Sequence, residues 1–503
     1  MKRSVTLSSL SLGMILLFSP NTALAEGAAE QSKLIAGDPN ADDRFGSSVA
    51  LASDIALVGS PLDDERATDA GAVYVFRRIN EKWTQQAKLT ASDAYIGDRF
   101  GRSIAISGNL ALIGAPLKND GAGVVYLFER TNTVWTEKAR IAASDARAGH
   151  EFGISVAIDR DTILIGATFH NHAGDDTGMA YVFVREDDTV LEQSRLMAED
   201  ATAESEFGRS VAIEGRLALV GAPGSGENRT MAGSAYLFES DGDSWRQVAK
   251  LTPEDSEAGN DFGYAVAIDQ RTALVGSFHD SQEKPSAGAA YLFAEGGSKW
   301  VQQDKLVVRD AKADDHFGYA LSLRAGAAVI GAQLNDHMGD SAGAAFLFVK
   351  NREGWQERSR ITADDGSDFD NLGGSVAIDE NTLLIGAHLH SSAANGAGAA
   401  YVYLFERLEG DACESSQQCA QGLCVNGYCC RRNCQENDAS WPTVPEDAGR
   451  SESDAEVCAP ADENNGCGCH LIGSSSISRT GAWYFIALMV VIAISRLRRK
   501  LTI

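Results

Sequence analysis

A Phe-Gly dipeptide returns along this chain at a nearly fixed interval, and that restricts the fold more than any other feature. It occurs at Phe45-Gly46, Phe100-Gly101, Phe152-Gly153, Phe207-Gly208, Phe262-Gly263 and Phe317-Gly318, with Leu372-Gly373 as a degenerate seventh copy. The step is 55 residues five times and 52 once. Length alone, 503 residues, would suggest about three ordinary domains. A period of this size instead signals an array of supersecondary units that bury their apolar faces against one another.

Each copy reads as four short strands. The first follows Phe-Gly, as in Ser48 to Leu51 or Ser210 to Ile213. The second ends at Gly59-Ser60-Pro61, Gly114-Ala115-Pro116, Gly166-Ala167, Gly221-Ala222-Pro223, Gly276-Ser277, Gly331-Ala332 or Gly386-Ala387. The third is Ala72 to Phe76 in the first copy and Ala399 to Phe405 in the last; the fourth begins near a Trp and ends in a basic residue followed by Leu or Ile, as in Lys88-Leu89 and Arg140-Ile141. Four strands per copy with no helical period predict an all-β chain: a seven-bladed β-propeller of four-stranded antiparallel blades. Lys33-Leu34 is a fourth strand with no blade before it, and the last copy ends without one. Residues 32–36 are therefore expected to complete the last blade, which removes a free sheet edge. The small residues of the first strands fit crowding at the axis, and Tyr74, Tyr126, Tyr181, Tyr236, Tyr291, Phe346 and Tyr401 are expected to fill the space between blades.

The paired Phe-Gly and Gly-Ala-Pro motifs resemble the FG-GAP repeat family, whose best-known members are the integrin alpha-subunit propellers. The resemblance covers residues 32–407. It implies Ca²⁺ held by alternating Asp residues between the first and second strands, but here those turns are short, as in Ala52-Ser53-Asp54 and Ser107-Gly108-Asn109, and cannot supply six to eight oxygens. The integrin-type calcium residues are therefore not carried over. Instead an Asp stands seven residues before each Phe, or before Leu372: Asp38, Asp93, Asp145, Asp200, Asp255, Asp310 and Asp365. These act either as turn caps or as weak sites for Ca²⁺ or another divalent cation. Strand alternation puts their loops on the same face as the loops bearing His170, His172, His279, His337, His388 and His390, which read as exposed polar residues or as ligands for an ion such as Zn²⁺. The residue two after each Phe varies, and Arg102, Arg209, Tyr264 and Tyr319 either pack between blades or line an axial pocket.

The ends set the compartment. Lys2, Arg3, an apolar run from Leu7 to Phe18, and Ala23 and Ala25 form the pattern of a signal peptide, residues 1–25, cleaved after Ala25. The propeller then occupies residues 26–410. All nine Cys follow it, with Cys413, Cys419, Cys424, Cys429, Cys430 and Cys434 forming a disulfide-stapled module at residues 411–434 whose pairing stays open. This module resembles small Cys-rich modules in secreted proteins of myxobacteria. Residues 435–470 read as an acidic disordered linker. In residues 471–503 an apolar run from Ala482 to Ile494 precedes Arg496, Arg498, Arg499 and Lys500. With Gly466, Cys467, Gly468 and Cys469 this end resembles the C-terminal sorting signals called MYXO-CTERM, which implies a processing protease and display at the surface of a Gram-negative cell; a retained transmembrane helix is the alternative.

With 44 Lys and Arg against 70 Asp and Glu, a formal charge of −26 excludes a nucleic-acid binder of the basic-patch kind. The order of parts predicts a surface-anchored, non-enzymatic adhesion protein that recognises an extracellular protein or glycan. The alternatives are an exported enzyme using the axial pocket and a structural envelope protein.

Overall fold

A computed structural model describes residues 27–187, 189–226, 231–297, 299–408, 410–420, 422–425, 428–431, 457–458 and 469–470. The expected signal peptide, Cys434, Cys467, most of the linker and the C-terminal apolar segment lie outside these residues. Among the described residues no helix is long and apolar enough to cross a membrane. The chain divides into two units at Arg407/Leu408.

The first unit is a ring of seven four-stranded antiparallel blades. Blade 1 consists of Ser48–Ala52, Ile55–Ser60, Ala72–Ile79 and Lys82–Leu89, in chain order from the axis outward. Blade 7 consists of Leu372–Asp379, Thr382–Ala387 and Ala399–Leu404, and its fourth strand is Ala29–Leu34 from the other end of the chain. Lys33 lies opposite Tyr401 and Leu34 opposite Ala400. The closing strand starts earlier than the expected residue 32, because a bulge between Glu30 and Ser32 lets the ladder continue back to Ala29; it stops at Leu34, where the chain leaves for the loop carrying Asp38.

Burial follows the order of strands. Ile55–Ser60 and the first five residues of Ala72–Ile79 are wholly buried, while Lys82–Leu89 is mostly half-exposed and ends at buried Leu89. Each core lies between adjacent blades. Ile55, Leu57, Val73 and Val75 of blade 1, for example, pack with Ala111, Ile113, Tyr126 and Phe128 of blade 2. Phe45, Phe100, Phe152, Phe262 and Phe317 are fully buried. Each burial is worth about 1.5–3 kcal/mol. Each of these Phe side chains also meets the third-strand aromatic of its repeat, as in Phe45–Tyr74 at 5.3 Å between centroids.

The two motif glycines interlock neighbouring blades. A Cβ on Gly59 would lie 2.3 Å from the carbonyl oxygen of Gly101 in the next blade, and one on Gly386 would lie 2.1 Å from that of Gly46, across the closure. Ser48 and Ser375 donate their hydroxyls to the same two carbonyls. Thus the Phe-Gly of one blade needs the Gly-Ala-Pro glycine of the blade before it: no side chain fits where the backbones meet.

The second unit contains the disulfides Cys413–Cys424 and Cys419–Cys429 and a hairpin of Gly422–Val425 with Tyr428–Arg431. Cys430 lies in the second strand of that hairpin, and Cys469 pairs along the backbone with Cys458.

Candidate binding face around the axial mouth

The loops entering each first strand and those leaving each second strand meet on one face. Three sets of residues occupy it.

The outermost set contains the seven aspartates. Tyr74, Tyr126, Tyr181, Tyr291 and Tyr401 donate their hydroxyls to Asp38, Asp93, Asp145, Asp255 and Asp365 at 2.6–2.9 Å. The basic residue ending each fourth strand takes the second oxygen: Lys88 on Asp38, Arg140 on Asp93, Arg195 on Asp145, Lys250 on Asp200, Lys305 on Asp255, Arg360 on Asp310 and, from the closing strand, Lys33 on Asp365. Burial opposes ionisation at six of these carboxylates, but the cation and hydroxyl outweigh it and hold all six below the usual range. Asp310, where Phe346 replaces the tyrosine, is lowered mainly by its bond to Arg360. These carboxylates thus fasten the third and fourth strands to the loop before the blade, and a cation there would have to compete with a lysine or arginine. Among the described residues, three or more potential metal ligands converge only at Cys413, Cys419 and Cys429, whose sulfurs are in disulfides.

The second set is missed by single-copy reading and emerges when the copies are aligned. Two residues before each Phe stand Asp43, Asp98, His150, Ser205, Asn260, Asp315 and Asp370; four after each Gly-Ala-Pro glycine stand Asp63, Lys118, His170, Ser225, Asp280, Asn335 and His390. All fourteen are buried. The two positions meet in several blades, whereas in blade 1 burial and the like charge of Asp63 push the Asp43 carboxyl up. Lys118 binds Asp98 at 2.8 Å, His390 binds Asp370 at 2.7 Å, Asn260 reaches Asp280 at 3.4 Å, and His150 packs on His170 with centroids 4.4 Å apart. Of the loop histidines, His170 also reaches Asp145, His279 binds Asp261, and His337 binds Arg360.

The third set lines the axial mouth. The seven positions two after each Phe converge there: Ser47, Arg102, Ile154, Arg209, Tyr264, Tyr319 and Gly374. Arg44, Arg99, Pro61, Leu62 and His388 complete the rim of a cavity of about 300 Å³. Arg209 donates to the Tyr264 hydroxyl at 2.6 Å, with its guanidinium 4.4 Å from that ring, and Tyr264 reaches Tyr319 at 3.3 Å. Burial, reinforced by Arg44 and Arg102, pushes His388 down to about 4, so the imidazole is neutral at pH 7. Arg102, Arg209, Tyr264 and Tyr319 are therefore brought together. Arg44 and Arg99, which no sequence pattern singles out, join them, as does His388, expected only among the loop histidines of this face; the fold alone brings these loop residues to the mouth.

The FG-GAP repeat family matches at residues 29–76, 83–128, 135–183, 190–238, 245–293, 300–348 and 355–403, one match for each fourth strand plus the three that follow it. The chain belongs to the FG-GAP repeat family. Integrin alpha-11 of Homo sapiens is 34% identical over 114 residues, and its Mus musculus counterpart 32% over 114. Each alignment takes in 21% of this chain and 10% of the relative, so the FG-GAP propeller matches only a tenth of the length of those proteins. The family's period also explains the second set of residues: its motifs fix where the paired positions fall but leave their side chains open.

Proposed function

We propose that this FG-GAP propeller is a surface-displayed binding head, adhesive rather than enzymatic, which engages an extracellular protein through the loop face around its mouth; a glycan is the second ligand class of the same reading. The observation that carries it is Phe369. The position three before each Phe or Leu372 is left-handed in every copy and holds Asp42, Gly97, Gly149, Glu204, Gly259, Asp314 and Phe369. A bulky aromatic is disfavoured there, and Phe369 is 56% exposed, so it makes little return in core packing. Among the described residues, seven of the eleven exposed large apolar side chains lie on this face: Ile35, Tyr95, Ile96, Met197, Met231, Met338 and Phe369. Exposed aromatics and methionines among polar loops suit a protein partner. The similarity to integrin alpha-11 supports the same direction.

In this reading the leader is removed after Ala25, and the C-terminal segment, processed by a protease or retained in the membrane, holds the head at the cell surface. The test is adhesion of beads coated with the exported chain to protein-coated and polysaccharide-coated surfaces. Phe369→Gly should melt at the same or a higher temperature yet adhere several-fold less. Equal adhesion by that variant and by Tyr95→Ser/Met338→Ser, or adhesion to neither surface, overturns the proposal.

A further inference from the structure

We propose that the axial mouth is a separate binding site for a small organic carboxylate, held by Arg102 and Arg209 against the Tyr264–Tyr319 wall. In a chain with 70 acidic and 44 basic residues, the basic residue ending every fourth strand is ion-paired with its aspartate. At the mouth this order is broken. Arg44, Arg99 and Arg102 make no side-chain hydrogen bond or ion pair among the described residues, and Arg209 has only the neutral Tyr264 hydroxyl.

Arg102 and Arg209 are half-buried, while Arg44 and Arg99 stand exposed at the rim. A partly desolvated guanidinium without a counterion is costly, and two facing one cavity repel each other. Burial and then Arg209 indeed disfavour the charge on Arg102. Three acids feel this group without forming an ion pair with it: Glu151, Glu206 and Asp261. Burial pushes all three carboxyls up against the opposing pull of the guanidinium groups, Asp261 is bonded to His279, and none of the three lines the cavity.

A bound carboxylate completes the set. Planar guanidinium groups offer paired N–H donors that match a carboxylate, and burial strengthens the bonds. Tyr264 and Tyr319, with ring centroids 5.1 Å apart and tilted by 39°, and backed by Phe278 at 4.5 Å from Tyr264, give an aromatic wall for the rest of the ligand. Neutral His388 adds a polar group without a second charge. A volume of about 300 Å³ admits a single small molecule. The site is independent of the apolar rim around Phe369, so either proposal can fail alone.

The experiment is calorimetric titration and thermal melting of the full chain with D-glucuronate, D-glucose, inorganic phosphate and sulfate at constant ionic strength. Glucuronate should bind saturably and raise Tm, with glucose inert. Arg102→Gln and Arg209→Gln should each weaken glucuronate about tenfold to a hundredfold. Without ligand, Arg102→Gln should melt at or above the wild type, because an uncompensated charge has been removed; Arg246→Gln, outside the cavity, serves as the control and should bind normally. No saturable glucuronate binding, binding matched by glucose, binding unchanged in Arg102→Gln, or binding of phosphate or sulfate alone overturns the proposal.

Discussion

At the scale of the residue, Asp200 shows what the repeated aspartates contribute. Lys250 donates to it at 2.5 Å, and the Lys250 and Tyr236 bonds together hold the carboxylate below its ordinary range despite burial. A carboxylate whose native pKa is depressed stabilises the fold fully above its unfolded value of about 3.9, and that share is lost as pH falls through the native value. The pair is half-exposed, which limits its worth to about 1 kcal/mol. Asp200→Asn should therefore lower stability by about 1 kcal/mol at pH 7 and by progressively less as pH falls below about 3.9 toward the native value, as read from urea denaturation across that range. Running the same melts in chelator and in Ca²⁺ separates the two sequence readings of this ring. A Ca²⁺-dependent rise lost in Asp200→Asn makes it a cation site, and a difference independent of Ca²⁺ makes it a strand fastener.

At the scale of the element, the second strand of each blade depends on a glycine with an ordinary backbone conformation but no room for a methyl group. In Gly59→Ala the new Cβ would meet the backbone oxygen of Gly101 and the hydroxyl of Ser48, and only the oxygen belongs to an element that cannot rotate away. Expected destabilisation is about 2–4 kcal/mol, from forced separation of blades 1 and 2. Gly108→Ala is the comparison. It sits in a hairpin turn at φ +60 with nothing within 4 Å, so its cost is conformational alone, about 1 kcal/mol. Equal urea midpoints for the two variants would remove the steric account of the motif.

At the scale of the whole molecule, the ring is held shut by six residues from the far end of the chain. Ala29–Leu34 pairs with Ala399–Leu404, buries Leu34, and brings Lys33 to Asp365 at 2.6 Å. Deleting residues 26–36 leaves Ala399–Leu404 with an unpaired edge and Asp365 without its lysine. The expected outcome is a loss on the order of 5 kcal/mol and concentration-dependent aggregation, followed by denaturation and light scattering. Unchanged melting would mean that closure by the terminal strand contributes little to the fold.

The sequence by itself determined the blade count, the strand order and the closure, because a period repeated seven times averages out local ambiguity and leaves only one arrangement of four-stranded units. It also located the ring of aspartates and the seven variable mouth positions. It could not show that the basic residue ending each fourth strand belongs to the aspartate loop, since Asp200 and Lys250 lie 50 positions apart and meet only when the blade folds. Nor could it show that Arg44, Arg99, Arg102 and Arg209 share one cavity: they belong to three different repeats, and only the convergence of blades on a common axis brings like charges together. Local patterning fixes elements because it acts along the chain, whereas a binding site depends on distances across it, and those were decided by the tertiary structure.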